Sequence, residues 1–428
     1  LWQLNCCNIL VQMSKFNEIV IKPFRTLRNK TFGKIFVSQL FSLFADAFIW
    51  LGLALLSYGL NPERSAVILA SALTMRVTAY ILFSPFSGVI SEHFNRKNIL
   101  WITQSFRIVI VGLLPFVTSE WQLFLLIFLL NVAAAFFTPT YRAIIPQVVD
   151  HSEYREANGL SMATFQLLSV FGPALAGVFA TWLGAKQLFL VSAISLLIGV
   201  TIILSISANS LQKGVARVKG SLHDGWHDVI KGVRLLFGNK ILRFSLSMEF
   251  VSAIAGAMVL VNTVGWVKTS LSQDDAHYGL IMALFGVGGA ITAFLLGSLD
   301  KTKTRALSLI SGALLIGVAI SFANFVSFNG LLALWVFAGI GQTLADLPSE
   351  TLIGENIQSG DQGKVYGSHF AFSHLWWFIA YPFAGFLGTT FPNLSFLYGG
   401  IISISLAILA IIIFKPILKM RTNCGHGE

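Results

Sequence analysis

The chain of 428 residues carries only 11% charged side chains, at a mean hydropathy of +0.75, where a soluble domain carries roughly 25%. That balance excludes a water-soluble globule and makes lipid the solvent. The net charge of +10 does not describe a nucleic-acid surface either, because the basic residues fall in short clusters between apolar runs.

Each run is long enough to cross about 30 Å of hydrocarbon, and each must be a helix, since an open sheet leaves its backbone unsatisfied in lipid. Met13 is the expected start, with residues 1–12 read as upstream sequence and no cleavable leader. The cysteines, Cys6, Cys7 and Cys424, offer no disulfide framework or paired metal motif. Apolar windows then predict spans at 35–60, 66–90, 99–118, 121–141, 159–182 and 186–208, and again at 243–267, 277–299, 306–327, 330–350, 366–388 and 394–415.

With the N-terminus inside, one face collects Lys22, Arg25, Arg28, Lys30, Arg96, Lys97, Lys213, Arg217, Lys219, Lys301, Lys303, Arg305, Lys415 and Arg421. The other keeps Arg64, Lys186 and Lys268, which is the positive-inside bias. The expected divisions are an N-terminal segment (1–30), a six-helix bundle (31–208), a linker (209–240), a second six-helix bundle (241–415) and a tail (416–428), with both termini cytoplasmic. The linker places Trp226, Val229, Ile230, Val233, Leu236 and Phe237 at helical spacing, with Lys231 and Arg234 between them. It reads as an interfacial amphipathic helix or as a solvated connector.

A single offset of about two hundred and nine positions superimposes Gly88 on Gly297, Arg96 on Arg305, Pro139 on Pro348 and Pro173 on Pro382. Four landmarks in order mark an internal repeat. The fold class is therefore an all-α membrane protein of twelve transmembrane helices in two pseudo-symmetric six-helix bundles, the parallel-repeat arrangement of the major facilitator fold.

GVISEHFNRK (Gly88 to Lys97) resembles the cytoplasmic loop signature of the major facilitator superfamily, with Glu92 in place of the usual Asp and His93 in place of Arg. The resemblance makes Gly88 a close-approach residue and Glu92, Asn95, Arg96 and Lys97 a gating network. In span five, Gly159, Gly172, Pro173 and Gly177 resemble the glycine-proline signature of the superfamily's antiporters. Gln39, Ser42 and Asp46 in span one resemble the start of the third drug/proton antiporter family, the macrolide and siderophore exporters. LTMRVTAYILFSPFSG (Leu73 to Gly88), AFFTPTYRAIIP (Ala135 to Pro146) and MEFVSAIAGAMVLVNTVG (Met248 to Gly265) look most like its nickel-resistance branch, whose histidine-rich tail is here only Cys424 and His426.

Ionisable side chains inside a membrane are functional candidates, because burying them in lipid is costly. At 1.5 Å per residue, Asp46 lies roughly 18 Å into span one and Arg76 roughly 15 Å into span two. They are expected to pair near the midplane, with Asp46 cycling a proton. Glu249 in span seven is the C-terminal candidate for proton or substrate, and Asn262 either lines the same cavity or bonds a neighbouring helix. Asp346 and Glu350 share a face around Pro348 and suit a gate. Arg107 is expected to hold Glu92. His369 and His374 point about 140° apart, so one ion cannot easily use both. Asp46, Met248 and Glu249 are the weak metal candidates.

The expected function is proton-coupled efflux of a small molecule or a nickel- or cobalt-like cation across a bacterial inner membrane, by a monomer working without a cofactor. A drug or siderophore cargo is the alternative, and a non-transporting receptor or scaffold a remote one. No GxxxxGK[ST] loop or catalytic constellation argues for an ATPase or an enzyme.

Overall fold

The computed structural model describes residues 22–150, 153–207, 211, 222–299 and 305–423, without the side chains of 22–23, 85, 87–93, 155, 222–227, 297–299, 359 and 415–423. Cys6, Cys7, Lys213, Arg217, Lys219, Lys301, Lys303, Cys424 and His426 lie outside the described residues, as do the side-chain surroundings of Gly88, Glu92 and His93.

Among the described residues, twelve helices are long and apolar enough to span a membrane. They are α1 (Lys30–Leu60), α2 (Ser65–His93), α3 (Arg96–Leu113), α4 (Glu120–Val148), α5 (Tyr154–Leu183), α6 (Gln187–Leu204), α7 (Lys240–Gly265), α8 (Asp275–Leu299), α9 (Arg305–Ser321), α10 (Phe328–Asn356), α11 (Ser359–Thr390) and α12 (Ser395–Asn423). A further linker helix runs Leu222–Gly238.

Local chemistry sets the starts. Asn29 caps α1 by accepting from the Thr31 and Phe32 amides, and Asn239 caps α7 in the same way through Ile241 and Leu242. Asn95 caps α3 at the Lys97 amide, so Gly88 to His93 form the last turns of α2 rather than a loop. Several helices outrun their apolar windows, most visibly α4, α10 and α11. A hydropathy window reads only the lipid-embedded stretch, whereas a helix continues as long as its backbone bonds are kept. Pro139, Pro146, Pro348 and Pro382 all lie inside helices.

In the first bundle α1 packs on α5 and α6, α2 on α4, and α3 on α4 and α6; in the second α7 packs on α11 and α12, α8 on α10, and α9 on α10 and α12. The two sets correspond helix for helix. The repeat extends to side chains: Arg96 at the start of α3 donates to the Ala143 carbonyl of α4 at 3.0 Å, and Arg305 at the start of α9 pairs with Glu355 of α10.

Two crossings join the bundles, α2 with α11 and α5 with α8. Small residues make both possible. A methyl group built on Gly177 would lie 2.8 Å from the Gly279 Cα, and one on Gly385 would lie 2.6 Å from the Ala70 Cβ. These contacts cluster near Ser65, Leu183 and Asp275, the helix ends opposite the linker. Across the same end, the Tyr58 and Thr269 hydroxyls lie 3.2 Å apart and Lys268 stands over the Tyr58 ring. The bundles are thus closed on the face opposite the linker.

The linker helix lies against α11. Leu236 is fully buried, Phe237 meets Phe372 edge-on at 4.8 Å, and Lys231–Asp361 (2.6 Å) and Asp228–Lys364 (2.7 Å) cross between the two helices. Val229 and Ile230 remain exposed.

Candidate functional site

A cavity of about 500 Å³ lies between the bundles. Its walls come mainly from α1, α2, α4 and α5, with Leu260, Tyr278 and Met282 contributed by the second bundle, and it reaches Arg142, Ile145 and Asn158 toward the linker face. Gln39, Ser42, Asp46 and Trp50 share one face of α1 and line it, as spacings of three and four residues dictate. Opposite them, Arg107 is buried with a side-chain exposure of 3%. Its Nη2 donates to Asp46 Oδ1, and its Nη1 to Ser42 Oγ at 3.1 Å and Gln104 Oε1 at 3.0 Å.

Asp46, 36% exposed on its side chain, keeps one edge on the cavity. Arg76 stacks over the Trp50 ring at 4.2 Å, and Tyr80, one turn along α2, completes that wall. Among the described residues neither Arg76 nor Arg142 has an acidic partner. The wall therefore holds three guanidinium groups and one carboxylate, set among Leu, Phe, Met and Tyr side chains. An uncompensated cation at membrane depth is stable only if water or an anionic ligand reaches it.

A second polar cluster lies in the core of the other bundle. Glu249 of α7, 6% exposed, meets His369 of α11 at 2.7 Å, while its second oxygen, Oε2, is buried without a partner. Gln342 of α10 bridges Ser252 of α7 (2.6 Å) and Asp346 (2.5 Å) through one nitrogen. One turn nearer the linker face, the Ser245 and Ser349 hydroxyls bond at 2.6 Å.

These positions revise several expectations. Asp46 pairs with Arg107 and not with Arg76, because Arg107 lies about 16 Å along α3 from Arg96, level with Asp46 and far from the end of α2. Glu249, Asn262, His369 and His374 do not line the cavity, since they belong to the core or the crossing of the second bundle. Asn262 takes the interhelical role, donating to the Ala384 carbonyl at 3.2 Å. His374 bonds the Phe370 carbonyl and faces Tyr80 across the α2–α11 crossing.

Asp346 is drawn into the Gln342 bridge while Glu350 is exposed, so the pair does not act as one unit. Met248 is fully buried among apolar side chains, one residue and hence about 100° from Glu249. Asp46, Met248 and Glu249 are not gathered, and no three-ligand metal cluster occurs among the described residues. Gly172 and Gly177 serve close packing, Gly172 against Ala47 of α1, and the Pro173 carbonyl faces Gly279; Gly159 has no neighbour within reach.

Sequence reasoning missed Trp50, Tyr80, Gln104, Arg142, Ser252 and Gln342. The signal for two of them was present: Arg142 follows Pro139 inside an unbroken helix, and Gln342 stands one turn before Asp346 on the same face.

Two related helical bundles around a central, largely apolar cavity that carries a few buried charges define a membrane transporter. The sequence profile of the Major Facilitator Superfamily matches residues 35–264 and 245–422, and the chain belongs to that superfamily. Among curated relatives, the lysophospholipid transporter LplT of Photorhabdus laumondii is 27% identical over 335 residues, covering 75% of this chain and 79% of that protein. The Bacillus subtilis protein described as an uncharacterized MFS-type transporter, YfiS, is 24% identical over 303 residues, covering 67% and 70%. In fold, a POT family transporter bound to a thioalcohol-conjugated peptide matches with a TM-score of 0.71 at 11% identity, covering 91% of this chain and 96% of that one. The nucleoside transporter NupG, as a D323A mutant, matches equally well in fold, covering 90% and 99%.

Proposed function

We propose that this chain moves an amphiphile with an anionic headgroup, of the lysophospholipid class, across a bacterial inner membrane by alternating access. The observation that carries the proposal is the cavity wall: Arg76 and Arg142 stand without acidic partners among the described residues, in an otherwise largely apolar and aromatic chamber. Guanidinium groups bind phosphate oxygens in a planar, two-point fashion, and the apolar walls suit an acyl chain. The name of the LplT relative agrees with this chemistry.

The bias of Lys and Arg toward the linker side supports a cytoplasmic orientation for that face and for both termini. With the opposite end closed, cargo is exchanged at the cytoplasmic face in the state described. Proton-driven efflux remains our reading of the direction. Nickel or cobalt cargo draws no support from a cavity with more cations than anions.

Proteoliposomes assayed with lysophosphatidylglycerol, and in parallel with nickel, test the reading. We expect lysophospholipid flux that falls at least about tenfold in Arg76→Ala. Nickel flux with no lysophospholipid flux would overturn it.

A further inference from the structure

Among the described residues outside the cavity is a buried constellation of ionisable groups that cargo binding does not use. Glu249, Asp346 and His369 converge from α7, α10 and α11. Within this group Glu249 is 94% buried by its 6% exposure, and its Oε2 is buried without a hydrogen-bond donor while Oε1 meets His369. Gln342 presents a second unsatisfied oxygen, Oε1. Such atoms cost free energy in a low-dielectric core for as long as they lack a hydrogen-bond donor.

Two carboxylates face one imidazole, and among the described residues no Lys or Arg bonds or pairs with any of the three. Even with a proton on His369, one of the two carboxylates has no cationic partner.

The surroundings do not supply the missing positive charge. From α10, Glu350 adds a further carboxylate toward His369. From α11, His374 is turned to its own Phe370 carbonyl. On α9, Arg305 is taken by Glu355 at the helix end, and Lys240 and Arg243 of α7 lie near its start. The described side chains of α12 bring no charge, and Asp46 and Arg76 of α1 and α2 face the cavity. The linker's Asp228 and Lys231 pair with Lys364 and Asp361 in the first turns of α11, with Arg234 exposed beyond them.

We infer that the Glu249–Asp346–His369 cluster is the coupling-ion site of the transporter and binds one proton, at a place separate from the cargo cavity. The inference rests on the reading of the chain as a coupled transporter and adds where the ion sits. A hydronium reaching the cluster from the linker side gives its proton to a carboxylate oxygen, forming one O–H bond and leaving water; release to water on the other face reverses the step.

The route to the cargo is short. His369 and His374 stand on the same helix, His374 lies with its ring centroid 6.0 Å from that of Tyr80, and Tyr80 lines the cavity beside Arg76. Loss of the Glu249–His369 bond frees α11 at one end of that chain of contacts, and α11 is also the helix that crosses α2. Two arrangements of α11 biased by both sites are what coupling requires.

Infrared difference spectroscopy of the purified full-length protein in membranes, recorded across pH without cargo, tests the site itself. A protonated-carboxyl band should titrate in the wild type, be lost or shifted in both Glu249→Gln and Asp346→Asn, shift in His369→Gln, and persist in Asp46→Asn. A band that survives unchanged in the first two, or that disappears in Asp46→Asn, overturns the assignment. In proteoliposomes loaded with lysophosphatidylglycerol, an imposed pH gradient should accelerate flux at least tenfold in the wild type and fail to do so in Asp346→Asn. Acceleration by a sodium gradient in place of a pH gradient overturns the choice of proton. If the infrared result holds while no lysophospholipid moves, the cargo proposal fails and the proton site stands.

Discussion

Arg107 has Asp46, Ser42 and Gln104 around its terminal nitrogens, while its Nε is buried without a partner. Removing one member of a buried ion pair commonly costs about 3–5 kcal/mol, because the other is left charged and dry. Asp46 keeps part of its side chain toward the cavity, which screens the pair, so Asp46→Asn should cost about 1–3 kcal/mol. Thermal unfolding in detergent measures this. The double variant Asp46→Asn with Arg107→Gln should be less destabilised than the two single losses added together; simple additivity would mean that the pair is not coupled. Arg76 makes a different contact. Arg76→Lys keeps the charge but gives up the planar stack on Trp50, so titration with lysophosphatidylglycerol should show binding weaker by about threefold to tenfold.

At the scale of the helices, the bundle crossings depend on backbone approaching backbone. A leucine at Gly177 has no room beside Gly279, so Gly177→Leu should hold α5 and α8 apart at the closed face. Cysteine labelling from that side should then reach positions near Tyr278 and Met282, and transport should drop at least about tenfold. The linker helix is held by polar contacts of a different kind. Charge reversal at Lys231 sets it against Asp361, and reversing both restores the pair. Exposed pairs add little to global stability, so the readout is proteolysis of the linker, faster in Lys231→Asp and back to the wild-type rate when Asp361→Lys is added. An unchanged cleavage rate in the single variant would show that Leu236 and the Phe237–Phe372 contact alone hold the helix.

For the whole molecule, closure on one face with a cavity reaching toward the other corresponds to one state of an alternating cycle. Tyr58 and Thr269 meet across the closed face from different bundles. In a background with Cys6, Cys7 and Cys424 changed to serine, Tyr58→Cys and Thr269→Cys joined by a short thiol cross-linker should stop net transport and leave binding from the linker side intact. A reducible linker should return the activity on reduction. Continued transport with the cross-link complete would exclude opening of this face as a step in the cycle.

Hydropathy and the fixed offset were enough to read twelve spans and two related halves from the amino-acid order, because the demand that every buried backbone group be bonded leaves helices as the only answer in lipid; the superfamily came from the resemblance of Gly88 to Lys97 to its loop signature. The residues that matter at mid-depth were legible too: Asp46, Arg76, Arg107, Glu249, Asp346 and His369 all stand out as charges in apolar runs. Their partners were not. Which arginine meets Asp46, and whether Glu249 faces the cargo or a second core, depends on the rotation and depth of each helix against its neighbours, and one residue of difference turns a side chain by about 100°. Only the packed bundle sets those angles, and it divides one list of buried charges into a cationic chamber in the first half and an acidic cluster in the second.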